Sequence, residues 1–284
     1  MTAAVHTQQG VAARAGCPST VAPAGQPVSA SARLSTRTRS WHARTLVGLD
    51  LETTGTDPTA ARVVSAALVH VDTAGRVLPA GRQWLVDPGI EIPDEAQAVH
   101  GITTERARAQ GWPPLIAIWE VLDEVARVQA AGMPLVVYNA PYDLTVLQAE
   151  AARYGLPLPG GWLSGPDGPG LVVDPLVIDR FADPGRDGPR TLQATAEAYG
   201  VTATDPHSAV GDALTACRLA RAVARRHPLI GGADPIVLHG AQQGWYRDRA
   251  VHVQAMRRAG GHAQALVDKG WPVQDGRQEW FVPG

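Results

Sequence analysis

A chain of 284 residues has room for one large domain or two small ones. At 45% hydrophobic and 18% charged residues it is neither a disordered polyelectrolyte nor a coiled coil. The net charge of −2 hides an asymmetry: residues 1–49 carry five arginines (Arg14, Arg33, Arg37, Arg39, Arg44) and no acid, which leaves 20 basic against 27 acidic residues in the body, a balance of −7.

No apolar run approaches the roughly 20 residues that span a bilayer, and the start lacks the apolar core of a secretory signal. A cytoplasmic protein without membrane contact is expected. Cys17 and Cys217 lie too far apart for a metal knuckle and make a poor disulfide framework, so both are expected reduced. Of the 25 basic residues 24 are arginine and Lys269 is the one lysine, beside 30 Gly and 23 Pro. That bias points to coding composition, and it discounts the arginine count as a sign of nucleic-acid binding.

Residues 1–40 show neither a period of 2 nor one of 3.6 and are expected to form a disordered basic arm. The same arginine-rich, acid-free composition also matches an organelle transit peptide. Thr45 to Leu51 reads as a strand ending in the turn-rich Glu52-Thr53-Thr54-Gly55-Thr56-Asp57-Pro58. Arg62 to Val71 and Arg82 to Val86 are further strands, joined by short turns into an antiparallel meander. Leu115 to Ala130 carries apolar residues at helical spacing.

Pro134 to Tyr138 reads as a short strand and Pro141 to Tyr154 as a helix with Leu144, Val146, Leu147 and Ala151 inward and Asp143 in its first turn. Residues 155–170 read as a Gly/Pro loop, followed by a strand over Leu171 to Asp174. Helices follow over Thr191 to Tyr199 and Ser208 to Arg226, the latter with Ser208 as N-cap. Past Pro228 the signal weakens to one helical stretch, Ile236 to Arg258, and an uncertain end. Early strands and later helices with βα units between them indicate a mixed α/β domain over 41–228 and a helical extension over 229–284.

Asp50-x-Glu52 at a strand end puts two carboxylates on one face, where they can share a cation. With 18 Asp and 9 Glu in the chain, chance alone supplies about half such a pair, and His207-x4-Asp212 is no rarer. Singly these are a solvated turn and a dipole-complementing helix start. Their order is the stronger signal: two carboxylates after the first strand, Asp143 opening a middle helix, His207 and Asp212 opening a late one. Four converging carboxylates repel unless cations neutralise them. Oxygen-only ligands suit Mg²⁺ or Mn²⁺, and a pair of such ions serves in-line phosphoryl displacement.

Asp50-Leu51-Glu52-Thr53-Thr54-Gly55, Val99-His100-Gly101-Ile102-Thr103, Asn139-Ala140-Pro141-Tyr142-Asp143 and His207-Ser208-Ala209-Val210-Gly211-Asp212-Ala213 together resemble, in order and spacing, the motifs of the DEDDh 3′–5′ exonucleases. This is the DnaQ-like group that includes the epsilon proofreading subunit of bacterial DNA polymerase III. The likeness covers about residues 44–226. It implies a ribonuclease H-like α/β fold, a mixed five-stranded β-sheet flanked by α-helices. It implies that Asp50, Glu52, Asp143 and Asp212 bind two divalent metal ions, Mg²⁺ or Mn²⁺, and that His207 is the general base. Imidazole is the side chain whose charge changes between pH 5 and 8, as that task requires. Thr53, Thr54, His100 and Asn139 would embrace the 3′-terminal nucleotide.

The implied activity is release of nucleoside 5′-monophosphates from DNA 3′ ends, single-stranded or frayed. The alternatives are RNA trimming of the ribonuclease T and oligoribonuclease type, or a silent nucleic-acid-binding module. The pattern departs from the family at Tyr138, Tyr142 and Ser65, where His, Phe and an acid are common. No glutamine-led clamp-binding peptide follows residue 228, which weakens a replisome association. Leu238 to Tyr246 faintly resembles the extension of stand-alone actinobacterial exonucleases. Trp112 and Trp119 could stack on bases, but tryptophans are more often core. Arg186 and Arg190 are weak candidates for phosphate contacts.

Overall fold

Gly48 is the position on which the architecture turns. A computed structural model describes residues 40–160 and 171–274, so the arm expected over 1–40, all but Ser40, and the ends of the 155–170 loop and of the extension lie outside the described residues. Eight residues, Leu46–Thr53, form β1, paired antiparallel with β2 (Val63–Val71), which pairs antiparallel with β3 (Arg82–Leu85). On its other side β1 runs parallel to β4 (Leu135–Val136), and β4 parallel to β5 (Val172–Val173). The result is a mixed five-stranded sheet in the order β3-β2-β1-β4-β5. The meander and both short strands stand as expected, though the β4 and β5 ladders are two residues each.

Two helical layers cover the sheet. On one face Val47, Leu49 and Leu51 of β1 pack with α3 (Pro114–Ala130) and α4 (Ala140–Arg153) through Ile118, Leu122, Leu144 and Leu147, all buried. On the other face Leu46, Ala67, Val69 and Val136 meet α7 (Ala209–Arg226), whose contact side is a run of small residues, Ala209, Ala213, Ala216, Cys217 and Ala220. Small side chains let α7 lie close. A Cβ added at Gly48 would sit 2.3 Å from the carbonyl oxygen of Ala213, so only glycine fits there.

Among the described residues four short α-helices, Pro228–Gly231 included, went unread in the sequence. Asp94–His100 (α1) and Thr104–Gln110 (α2) bury only a small cluster around Ile92, Ile102 and Ala107, and seven-residue helices carry little periodicity. Pro175–Ala182 (α5) starts where Asp174 caps it, accepting from the Leu176 amide at 3.0 Å. Leu192–Ala198 (α6) and α7 follow as expected, with Thr191 and Ser208 as N-caps.

Past α8 (Pro228–Gly231), the long helix α9 (Pro235–Ala259) seals the β5 edge with side chains. His239 Nδ1 accepts from the Val172 amide at 3.3 Å, while Gln242 accepts from the Asp174 amide at 2.8 Å and donates to the Val172 carbonyl at 2.9 Å. Residues 229–274 therefore belong to the same compact unit as the sheet. No helix among the described residues is long and apolar enough to cross a membrane. Cys217 is buried and unpaired, its thiol pushed up to about 12 by burial.

Candidate functional site

Strand alternation carries Leu49 and Leu51 to the α3/α4 face and Gly48, Asp50 and Glu52 to the α7 face. Because Gly48 admits the α7 backbone at Ala213, the preceding residue Asp212 is brought against the end of β1. Asp50, Glu52 and Asp212 each offer a carboxylate oxygen, and these oxygens lie within 4.8 Å of one another. Asp143, in the first turn of α4, reaches the same strand from the other layer, and its Oδ1 accepts from the Leu51 amide at 3.0 Å.

The charges resist this arrangement. Burial, then the carboxylates of Asp143, Glu52 and Asp212, push Asp50 well above the usual carboxylate range. Burial and Asp212 push Glu52 up to about 7. Burial raises Asp143 against the pull of its backbone hydrogen bonds, and it raises Asp212 against the His207 amide. Acids whose proton affinity is raised in an oxygen-only cluster are a donor set that a hard divalent cation would complete.

The loop before α7 is tightly shaped. Asp205 and His207 both take left-handed backbone angles, φ 42° and 64°. The turn points the His207 amide at Asp212 Oδ2, 3.2 Å away, with the imidazole exposed. Left-handed φ in non-glycine residues is concentrated at functional sites. Asn139 is a third such residue, φ 64°, at the start of α4, where its amide and that of Ala140 donate to the buried carboxylate of Asp174 at 3.0 and 2.9 Å.

Thr53 closes β1: its hydroxyl lies 3.0 Å from the Gly55 carbonyl and bonds the Tyr142 hydroxyl, which also donates to Gly55. Thr54 is turned into the β1–β2 connection, its amide and hydroxyl both engaged with the Arg62 backbone at 3.0 Å. His100, last residue of α1, accepts the Ile102 amide on Nδ1 at 3.1 Å and faces the Thr53 backbone. Burial lowers its imidazole, and the Thr53 carbonyl opposes that shift.

The structure thus gathers Asp50, Glu52 and Asp212 into one cluster, bonds Asp143 to the strand residue between the first two and the His207 amide to Asp212, sets Thr53 and His100 at the β1 end, and leaves Asn139 at the start of α4, bonded to Asp174. Four positioning groups escaped sequence reasoning: Gly48, Tyr142, Asp174 and Gln193, whose amide lies 3.5 Å from Asp212 Oδ1. Gly48 was legible in principle, since Gly48-x-Asp50-x-Glu52 shares one face. Trp112 and Trp119 are not core; they are 46% and 54% exposed. Arg186 and Arg190 are committed elsewhere, to buried Asp179 at 2.9 and 2.6 Å.

Residues 47–220 match a family model described as an exonuclease, RNase_T. The chain is 31% identical over 174 residues to the DNA polymerase III subunit epsilon-like protein of Rhodobacter capsulatus, covering 59% of this chain and 22% of that protein. It is 32% identical over 126 residues to the uncharacterized exonuclease CP81 of Escherichia phage 186, covering 44% of this chain and 59% of that protein. The chain therefore spans less than two thirds of both relatives. Among solved structures it is similar to Escherichia coli Exonuclease I with a 5cy-dT13 oligonucleotide (TM-score 0.55, 21% identity, 75% of this chain and 45% of that one). The complex with a 5cy-dA13 oligonucleotide gives TM-score 0.53 at 22% identity, over 65% and 41%. At such identities the structures speak for the fold, and that fold is the mixed sheet and flanking helices seen here. With the family model spanning sheet, acidic cluster and α7 together, this chain belongs to the RNase_T exonuclease family, in its DnaQ-like branch.

Proposed function

We propose that the chain is a metal-dependent 3′–5′ exonuclease that releases nucleoside 5′-monophosphates from single-stranded or frayed DNA ends. The observation that carries this reading is the trio of carboxylate oxygens from Asp50, Glu52 and Asp212 within 4.8 Å, with Asp143 bonded to the strand between the first two. Oxygen-only donors with raised proton affinity fit two hard divalent ions, Mg²⁺ or Mn²⁺, held by Asp50, Glu52, Asp143 and Asp212. When bound, such a pair supplies water activation and stabilisation of the leaving oxygen.

The remaining work falls to the chain's own groups. His207, exposed in the loop before α7, accepts the proton of the attacking water. Its backbone bond to Asp212 keeps it at the rim of the cluster. Thr53, held by Tyr142, and His100 and Asn139 frame the terminal nucleotide at the end of β1. The balance of −7 in residues 50–284 favours a grip on one strand end over a long duplex, which would need a basic stripe. The name of the Rhodobacter relative and the oligonucleotides held by Exonuclease I support a DNA substrate.

Digestion of matched 5′-labelled single-stranded DNA and RNA with Mg²⁺, with Mn²⁺ and with chelator tests this. A metal-dependent ladder shortening from the 3′ end on DNA is expected. A ladder on RNA alone would move the chain to RNA trimming, and binding without cleavage under every metal would end the enzyme reading.

A further inference from the structure

Beyond the sheet end that carries the acids, α5 and α9 enclose a cleft of about 430 Å³ that the site above does not use. Two of its lining residues, Phe181 and Trp245, stack with ring centroids 3.9 Å apart and planes 9° from parallel. Phe181 remains 50% exposed. The lining also carries Arg180, Arg249 and His252, with Asp248 the acid among these groups. Burial, then the charge of Arg249, push Arg180 down to about 10, and burial and Arg190 lower Arg249. A cavity of this size, lined by a stacked aromatic pair and by two guanidiniums, matches a phosphate joined to a base.

Its position ties it to the acidic cluster. Gly48, Val136 and Val173 are in register across β1, β4 and β5, so Asp50 and Asp174 leave the same end of the sheet two strands apart, roughly 10 Å at the usual strand spacing. Arg180 lies one helix further on, close enough that the charges of Tyr138 and Asp174 act on it.

We propose that this cleft is an exosite for single-stranded nucleic acid, Arg180 and Arg249 taking a phosphate and the Phe181–Trp245 stack taking a base, upstream of a 3′ end lying at the acidic cluster. The proposal rests on the nuclease reading for the placement of that end. Its chemistry does not.

The test measures anisotropy of labelled (dT)10 on the full chain in chelator, across salt, for wild type, Phe181→Ala and Arg249→Gln, alongside metal-dependent hydrolysis of a thymidine dinucleotide. The dinucleotide is too short to reach the cleft. Phe181→Ala is expected to weaken (dT)10 binding about tenfold, within the range for a lost base–aromatic stack. Arg249→Gln is expected to lower the salt slope by about 0.7, one phosphate contact to a single strand. Dinucleotide hydrolysis stays at the wild-type rate in both. Unchanged (dT)10 affinity in both variants, or an equal loss on the dinucleotide, overturns the exosite. If no form of the protein cleaves anything yet the affinity losses appear, the nuclease reading falls and the exosite stands.

Discussion

Asp143 Oδ1 accepts the backbone N–H of Leu51 at 3.0 Å, so a carboxylate from α4 is bonded to the strand residue that separates Asp50 from Glu52. Two functions of one side chain can thereby be separated. Asp143→Asn keeps an acceptor for Leu51 and removes the charge; its melting temperature should match wild type while cleavage drops by at least about 100-fold. Asp143→Ala strands a buried amide, at a cost of about 1–3 kcal/mol, and should lower both. Thermal melts beside the digestion assay check the pair, and equal stability of the two variants would break the argument.

His207 combines a left-handed backbone, a bond from its amide to Asp212 and an exposed imidazole. Asparagine tolerates the left-handed region as well as histidine does, and it retains the amide. His207→Asn should therefore leave metal-induced stabilisation intact and cut the turnover rate by about 10²–10⁴-fold, the usual worth of a general base. Single-turnover kinetics at saturating metal read this directly.

Glu52, pushed up to about 7 in the fold against an ordinary 4.5, gives a pH prediction with a definite sign. Between pH 4.5 and 7 the folded chain holds the proton that the unfolded chain has released, so this group makes stability fall as pH rises through that window. Binding of a divalent ion must displace the proton. In chelator, the melting temperature should be lower at pH 8 than at pH 5.5, as far as this group governs it. Added Mg²⁺ or Mn²⁺ should raise it more at pH 8. Calorimetric scans with and without chelator would settle the sign.

Close approach at Gly48 leaves no space for a methyl group, since its carbon would lie 2.3 Å from the Ala213 carbonyl oxygen and 3.0 Å from Cys217 Sγ. Gly48→Ala should destabilise the protein by about 1–3 kcal/mol through overpacking. The displaced α7 carries Asp212, so affinity for metal should fall together with stability. Denaturant titration and metal titration of the same variant test the linkage.

Gln242 answers two backbone groups of β5 at once, donating to the Val172 carbonyl and accepting from the Asp174 amide. Gln242→Ala leaves both buried and unmet, at about 1–3 kcal/mol each. Hydrogen exchange at the Asp174 amide should speed up in the variant, ahead of exchange in β1 and β2.

Much of this was readable from residue order. The alternation in β1, the apolar spacing of α3 and α4 and the Ser208 cap of α7 all stand where their patterns placed them. Asp50 and Glu52 lie on the strand and Asp143 and Asp212 in first helical turns, as their spacing suggested, because a motif of fixed spacing on such an element constrains direction as well as position. What escaped was governed by partners remote in the chain. The inward side of α9 is Leu238, His239, Gln242, Tyr246 and Ala250, a stripe interrupted by two polar residues whose task is to meet a strand edge. Hydrophobic periodicity cannot register such a face. Trp112 and Trp119 misled for the opposite reason: residue type speaks for burial, while their surroundings leave both on the surface.

Both margins of the sheet are stopped. β5 ends against the side chains of His239 and Gln242, and beyond β3 the Trp112 backbone exchanges hydrogen bonds with Leu85 and Asp87 at 2.8 and 3.0 Å. An open margin is where one copy of a protein recruits strands from another. In this fold the safeguard on the β5 side is a helix that begins 180 residues after the first motif ends, so on heating, the loosening of α9 would set the onset of turbidity while the central strands are still paired.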